Sequence, residues 1–165
     1  MVGQRKMSKD SDISIRKFRS SDLAAVRRLI CDTIDACYAD VYPEEAVQFF
    51  KQWHRDENIL EGAKEGHAIV LEKDGQIIGT GTLLGDEIVR VFVQPGCQGQ
   101  GCGKIIMRRL EEQAISLGRS MIRLDASLPS KTFYDALAYR TLEKTSLQVK
   151  NNERLDYYKM EKRLK

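Results

Sequence analysis

Between residues 98 and 104 the chain reads Gln98-Gly99-Gln100-Gly101-Cys102-Gly103-Lys104, with glycine at every second position. Before it, Glu87 to Val93 is a run of strand length rich in valine and isoleucine. After it, Gly103 to Leu117 sets Ile106, Leu110, Ala114 and Leu117 on one helical face, and Gly118 stands as a C-cap. A further strand, Met121 to Ala126, completes a strand–helix–strand unit whose two strands must run parallel in one sheet. The loop also dictates chemistry. A helix N-terminus presents unpaired N–H groups and partial positive charge, and glycines let the backbone approach an anion closely. A phosphate or pyrophosphate cradle is expected, with Lys104 at its lip.

The rest of the chain must complete that sheet. Ile13 to Phe18 alternates weakly as a strand, and Ser20-Ser21-Asp22 opens a helix over 22–38, striped by Leu23, Val26, Ile30, Ile34, Cys37 and Tyr38. Pro43-Glu44-Glu45 starts a second helix, carrying Val47, Phe49, Phe50 and Trp53. At His67 the period changes to two: strands 68–71 and 77–84 flank the turn Lys73-Asp74-Gly75-Gln76. A short helix over Ser130–Leu137 follows Pro129, and strands near 142–149 and 155–163 flank Lys150-Asn151-Asn152-Glu153. The expected order is β-α-α-β-β-β-α-β-α-β-β: an α/β (α+β) domain over 12–165, with about four helices on a mostly antiparallel sheet of six to seven strands. Residues 1–11 read as a frayed tail.

Two common phosphate loops are excluded. A Walker A loop needs glycine where Gln98 stands and Ser or Thr where Ile105 stands. The dinucleotide fingerprint needs a third glycine where Lys104 or Ile106 stands. A net charge of +3 with scattered basic residues argues against a nucleic-acid partner. No apolar run reaches the roughly 20 residues that cross a bilayer, and residues 1–12 lack a signal core, so no membrane partner and a cytoplasmic location are expected. The four cysteines form no Cys-x-x-Cys pair and have no histidine nearby, so they read as free thiols and no metal site is expected. Cys102, at a helix N-terminus, is either an activated thiol or a small buried loop residue. His54 and His67 show no partner pattern.

The run Val91-Phe92-Val93-Gln94-Pro95-Gly96-Cys97-Gln98-Gly99-Gln100-Gly101-Cys102-Gly103 resembles the central motif of the GCN5-related N-acetyltransferase (GNAT) superfamily, with Gln98, Gly101 and Gly103 in its key places. The element order is similar across 13–163. The resemblance implies acetyl-CoA as cosubstrate, with no metal. It implies a sheet splayed at its central parallel pair, so that backbone groups of Val91, Phe92 and Val93 receive the pantetheine arm. The amides of Gly99, Gln100, Gly101, Cys102, Gly103 and Lys104 then meet the pyrophosphate.

It also implies direct acetyl transfer to an amine, which needs a proton acceptor and, at the leaving sulfur, a donor. Glu87 is the candidate base, with Asp86, Asp125 or ordered water as rivals. Tyr134, in Phe133-Tyr134-Asp135-Ala136-Leu137-Ala138-Tyr139, is the candidate acid, because that stretch resembles the family's late motif. Three departures stand out. Ala138 replaces the usual glycine, Ser127 replaces an asparagine that often holds the pantetheine arm, and Gly99 and Gln100 replace basic residues of the cradle. The acceptor is expected to be a small amine or amino acid, shaped by the first two helices (Tyr38, Asp40, Tyr42, Glu44, Glu45, Trp53) and the last hairpin (Asn151, Asn152, Glu153). A peptide amine, or a non-catalytic acyl-CoA-binding module, is the alternative. The apolar last strands suit a monomer or a homodimer.

Overall fold

The computed structural model describes residues 12–165; the tail expected over 1–11 lies outside the described residues. The elements are β1 (Ile13–Lys17), α1 (Leu23–Tyr38), α2 (Glu44–Trp53), α3 (Asp56–Glu65), β2 (His67–Lys73), β3 (Gln76–Leu84), β4 (Glu87–Val93), α4 (Cys102–Ser116), β5 (Met121–Ser127), α5 (Lys131–Ala136), β6 (Arg140–Gln148) and β7 (Arg154–Arg163). One seven-stranded sheet runs β1-β2-β3-β4-β5-β7-β6. Every neighbouring pair is antiparallel except β4 with β5.

The mixed sheet with a central parallel pair is as expected, and among the described residues it carries five α-helices where about four were expected. The added one is α3. Its stretch, Asp-Glu-Asn-Ile-Leu-Glu-Gly-Ala-Lys-Glu, buries only Ile59 and Gly62, too narrow a stripe to announce a helix.

Alternation along the strands divides the core into two layers. On one face α4 packs Ile106, Met107 and Leu110 against Leu71, Leu83, Ile122 and Met160. On the other, Val26, Ile30 and Ile34 of α1 cover Val70 and Phe92. Each such side chain contributes roughly 1.5–3 kcal/mol relative to exposure. A charged clamp fixes where α1 begins. The Arg16 guanidinium donates to Asp22 at 2.8 and 2.9 Å and to Glu72 at 2.9 Å, while Asp22 accepts the Arg19 N–H at 2.8 Å.

Two irregularities in β4 position the site. First, the parallel ladder with β5 has a single register pair, Glu87 with Arg123, supported by the Arg123 N–H donating to the Asp86 carbonyl at 2.9 Å. Past that pair the strands part and leave a wedge. Second, Phe92 pairs with Thr80 and Val89 pairs with Thr82, so Arg90 and Val91 together face the single residue Gly81. This bulge places Arg90 at φ 54°, a left-handed conformation.

Candidate active site

The wedge between β4 and β5 opens into a cleft of about 610 Å³. That lies within the range of roughly 300–1,000 Å³ typical of small-molecule sites. Glu87, Ile88, Val89, Arg90, Val91 and Phe92 of β4 form one wall; Asp125 and Ser127 of β5, with Ser130 and Tyr134, form the other. Tyr38, Phe49, Phe50, Trp53 and His54 roof it, and Leu147, Gln148, Leu155 and Tyr157 of the last hairpin close the side.

At the far end of β4, Gly99 and Gly101 adopt φ 75° and 84°. Both face open space where a Cβ would stand, so conformation alone requires glycine there. Gly101 is the N-cap of α4 and supplies no side-chain cap; its carbonyl accepts the Ile105 N–H at 3.1 Å. The first-turn amides of α4 therefore have no intrahelical partner. Gly103 is glycine for another reason: an added Cβ would lie 2.8 Å from the Phe133 ring. Lys104 is exposed beside it.

Other members of the expected set behave differently. The Gln98 side chain turns back and donates to the Val93 carbonyl at 3.0 Å, anchoring the loop to its strand. Val93 itself is buried and does not line the cleft, whereas Val91 and Phe92 do. Cys102 is 2% exposed, and burial, with the nearby Cys97, raises its thiol pKa, so it is a small buried residue and not an activated thiol.

Both candidate proton carriers line the cleft. Burial raises the Glu87 carboxyl above its ordinary range, and Asp125 and Asp86 add to the shift while Lys159 opposes it. Burial likewise raises Asp125, again against Lys159. Two carboxyls whose pKa is raised by burial, at one end of a cleft, are suited to accept a proton. Tyr134 is 7% exposed, and burial keeps its phenol protonated well above its usual range. Its ring packs edge-on against Phe133 and Tyr139, with centroids at 5.0 and 5.8 Å. The Ser127 hydroxyl lies 2.6 Å from that of Ser130. The Tyr38 phenol, raised by burial, is drawn partly back down by these two serines.

Ala138, at φ 70°, occupies the left-handed position just past α5 that favours glycine. Of the residues expected to shape the acceptor pocket, Tyr38 and Trp53 line the cleft. Tyr42 instead ties segments together, donating to the Asp156 carbonyl at 2.7 Å and accepting the Leu128 N–H at 2.8 Å. Asn151 donates to Glu45 at 3.2 Å, so the last hairpin does meet the start of α2. His54 and Arg90 were not anticipated. They enter the cleft through the α2–α3 corner and the β4 bulge. Among the described residues, no three histidine, cysteine or acidic side chains group as a metal site, and no helix is long and apolar enough to cross a membrane.

Residues 38–164 match the family model described as the acetyltransferase (GNAT) domain. No curated protein sequence matches the chain. Among solved structures, the chain is similar to a GCN5-related N-acetyltransferase from Rhodopseudomonas palustris, at 22% identity and TM-score 0.85, covering 98% of this chain and 100% of that one. It is also similar to the PaiA N-acetyltransferase of Thermoplasma acidophilum in complex with coenzyme A, at 18% identity and TM-score 0.71, covering 92% and 99%. A putative acetyltransferase, YncA, of Salmonella typhimurium with acetyl-CoA matches at 21% identity and TM-score 0.66, covering 94% and 95%. At these identities the likeness concerns the fold.

Proposed function

Because the chain belongs to the GNAT acetyltransferase family, we propose that it is an acetyl-CoA-dependent N-acetyltransferase acting on the primary amine of a small molecule or amino acid. The observation that carries this reading is the single register pair between β4 and β5, with the cleft on one side of it and the left-handed glycines of the cradle beyond the end of β4. The residues fit the cosubstrate. The open space over Gly99 and Gly101 and the unpaired amides of α4 suit a pyrophosphate. The part of β4 facing the wedge leaves backbone groups free for an extended arm.

Acetyl-CoA, when bound, supplies an activated acyl group as a thioester. The cradle amides and Lys104 hold its phosphates, while backbone at Val91 and Phe92 aligns the arm. Glu87, assisted by Asp125, takes the proton that the ammonium group must lose to become a nucleophile. The Tyr134 phenol, kept protonated by burial, donates to the sulfur as the carbon–sulfur bond breaks. Ser127 and Ser130, with Tyr38, present hydroxyls along the arm's path. The product amide is neutral where the substrate was cationic, which favours its release from the carboxyl end.

Release of free CoA from acetyl-CoA, measured over a panel of amines, amino acids and peptides, tests the proposal. Release that depends on an added small amine, and falls about a hundredfold to ten-thousandfold in Tyr134→Phe, is expected for loss of a proton donor. Acetyl-CoA binding without release under any amine would instead favour a non-catalytic module.

A further inference from the structure

The acceptor half of the cleft holds two polar side chains, one buried and one half-buried, that the acetyl-transfer chemistry does not use. His54 is 7% exposed and its Nδ1 is buried with no hydrogen-bond partner. Arg90 has a buried Nε without a partner and makes no ion pair among the described residues; Glu61 acts on it only at longer range. Both line the cleft. Burial, then the positive charge of Arg90, lowers His54 to about 3, so the imidazole is neutral and Arg90 is the cation of the pair.

The fold goes to some length to hold Arg90 there. Its φ of 54° is unfavourable for a side-chain-bearing residue, and the bulge that imposes it breaks the strand's alternation. Gly62 of α3 leaves the room: a Cβ there would lie 2.9 Å from Nη1 of Arg90. The pyrophosphate is not the anion in question, because its cradle lies beyond Val93, past the C-terminal end of β4.

We propose that Arg90, with His54 beside it, receives a carboxylate of the acceptor, so that the substrate is an amino acid whose apolar side group rests on Phe49 and Trp53. The inference rests on the acetyltransferase reading and narrows it. Glu87 and Asp125 meet the ammonium end, and Arg90 meets the carboxylate end. Phe49 and Trp53 stack with centroids 6.1 Å apart, and Trp53 keeps 56% of its surface exposed, an apolar wall awaiting a partner. The guanidinium of Arg90 and the N–H of a neutral imidazole can each donate to one oxygen of a carboxylate, whereas an amine lacking one would leave both without an acceptor.

The test compares L-phenylalanine, L-leucine, L-methionine, and β- and γ-amino acids with their primary amides. CoA release and the shift in melting temperature in the presence of CoA are the two readouts. The expected result is at least about a tenfold higher kcat/KM for the acids, equivalent to one charge-assisted contact. That ratio should collapse in Arg90→Asn, since asparagine tolerates a left-handed backbone. Arg90→Gly removes the guanidinium with no backbone strain and serves as the second variant. Amides that serve as well as acids, or a ratio that survives both variants, overturn the inference and leave the acetyltransferase reading standing. If no amine releases CoA and none shifts the melting temperature, both readings fail together.

Discussion

Ala138 offers a direct measure of strain in the segment that carries Tyr134. It follows α5 at φ 70°, its amide donates to the Asp135 carbonyl at 3.1 Å, and the next amide, of Tyr139, donates to the Tyr134 carbonyl at 3.1 Å. These bonds close the helix end and require the left-handed turn. An L-residue there costs roughly 1–2 kcal/mol. Glycine removes that cost but carries about 0.5–1 kcal/mol of extra chain entropy in the unfolded state. Ala138 is exposed, so its methyl contributes no packing that glycine would lose. Ala138→Gly should therefore stabilise by up to about 1.5 kcal/mol, and the midpoint of about 0.75 kcal/mol raises the melting temperature of a chain of this size by roughly 1.5–3 °C. Ala136→Gly, the same chemical change two residues earlier inside α5, should destabilise by about 0.5–1 kcal/mol. Urea and thermal unfolding of both variants read the two signs. A destabilising Ala138→Gly would refute the strain argument.

Three other outcomes follow from the site and the clamp. Gly101→Ala places a methyl-bearing residue at φ 84°, so its strain of roughly 1–2 kcal/mol should destabilise the fold. A free loop that relaxes to escape that strain must be drawn back on binding, which weakens acetyl-CoA binding by at most about fivefold to thirtyfold in a calorimetric titration. The proposed base Glu87 works only when ionised, and burial raises its pKa. The acid limb of kcat/KM should therefore lie above the ordinary glutamate value of about 4.3, with activity lost as pH falls, and Glu87→Gln should abolish that limb. Asp22 is held below its ordinary value by Arg16, so its stabilisation is present above about pH 3.9 and lost as pH falls through its lower folded value; Asp22→Asn should flatten acid unfolding curves in that window.

The sequence exposed those parts of the molecule whose chemistry is local. Gly99 and Gly101 could be read as cradle residues because glycine at a strand-to-helix junction has few other uses, and the structure puts both at positive φ. Ala138 was suspect because it stood where glycine was expected. Tyr134, Glu87, Ser127, Val91 and Phe92 come together at one cleft, but Gln98 and Val93 turned out to bond to each other. What could not be read depends on nonlocal geometry. Arg90 enters the cleft because two residues of β4 oppose Gly81, and a bulge leaves no mark in a simple alternation. His54 lines the cleft from the corner between α2 and α3, so its place depends on α3. The signals of α3 in the sequence are an acidic first turn at Asp56 and Glu57, Lys64 in the last turn and Gly66 at the end, set against a thin apolar stripe.

The measurement that bears most directly on the account is a calorimetric titration of the protein with acetyl-CoA. The account predicts one molecule bound per chain, with affinity reduced in Gly101→Ala. No measurable binding of acetyl-CoA to the folded protein would contradict it.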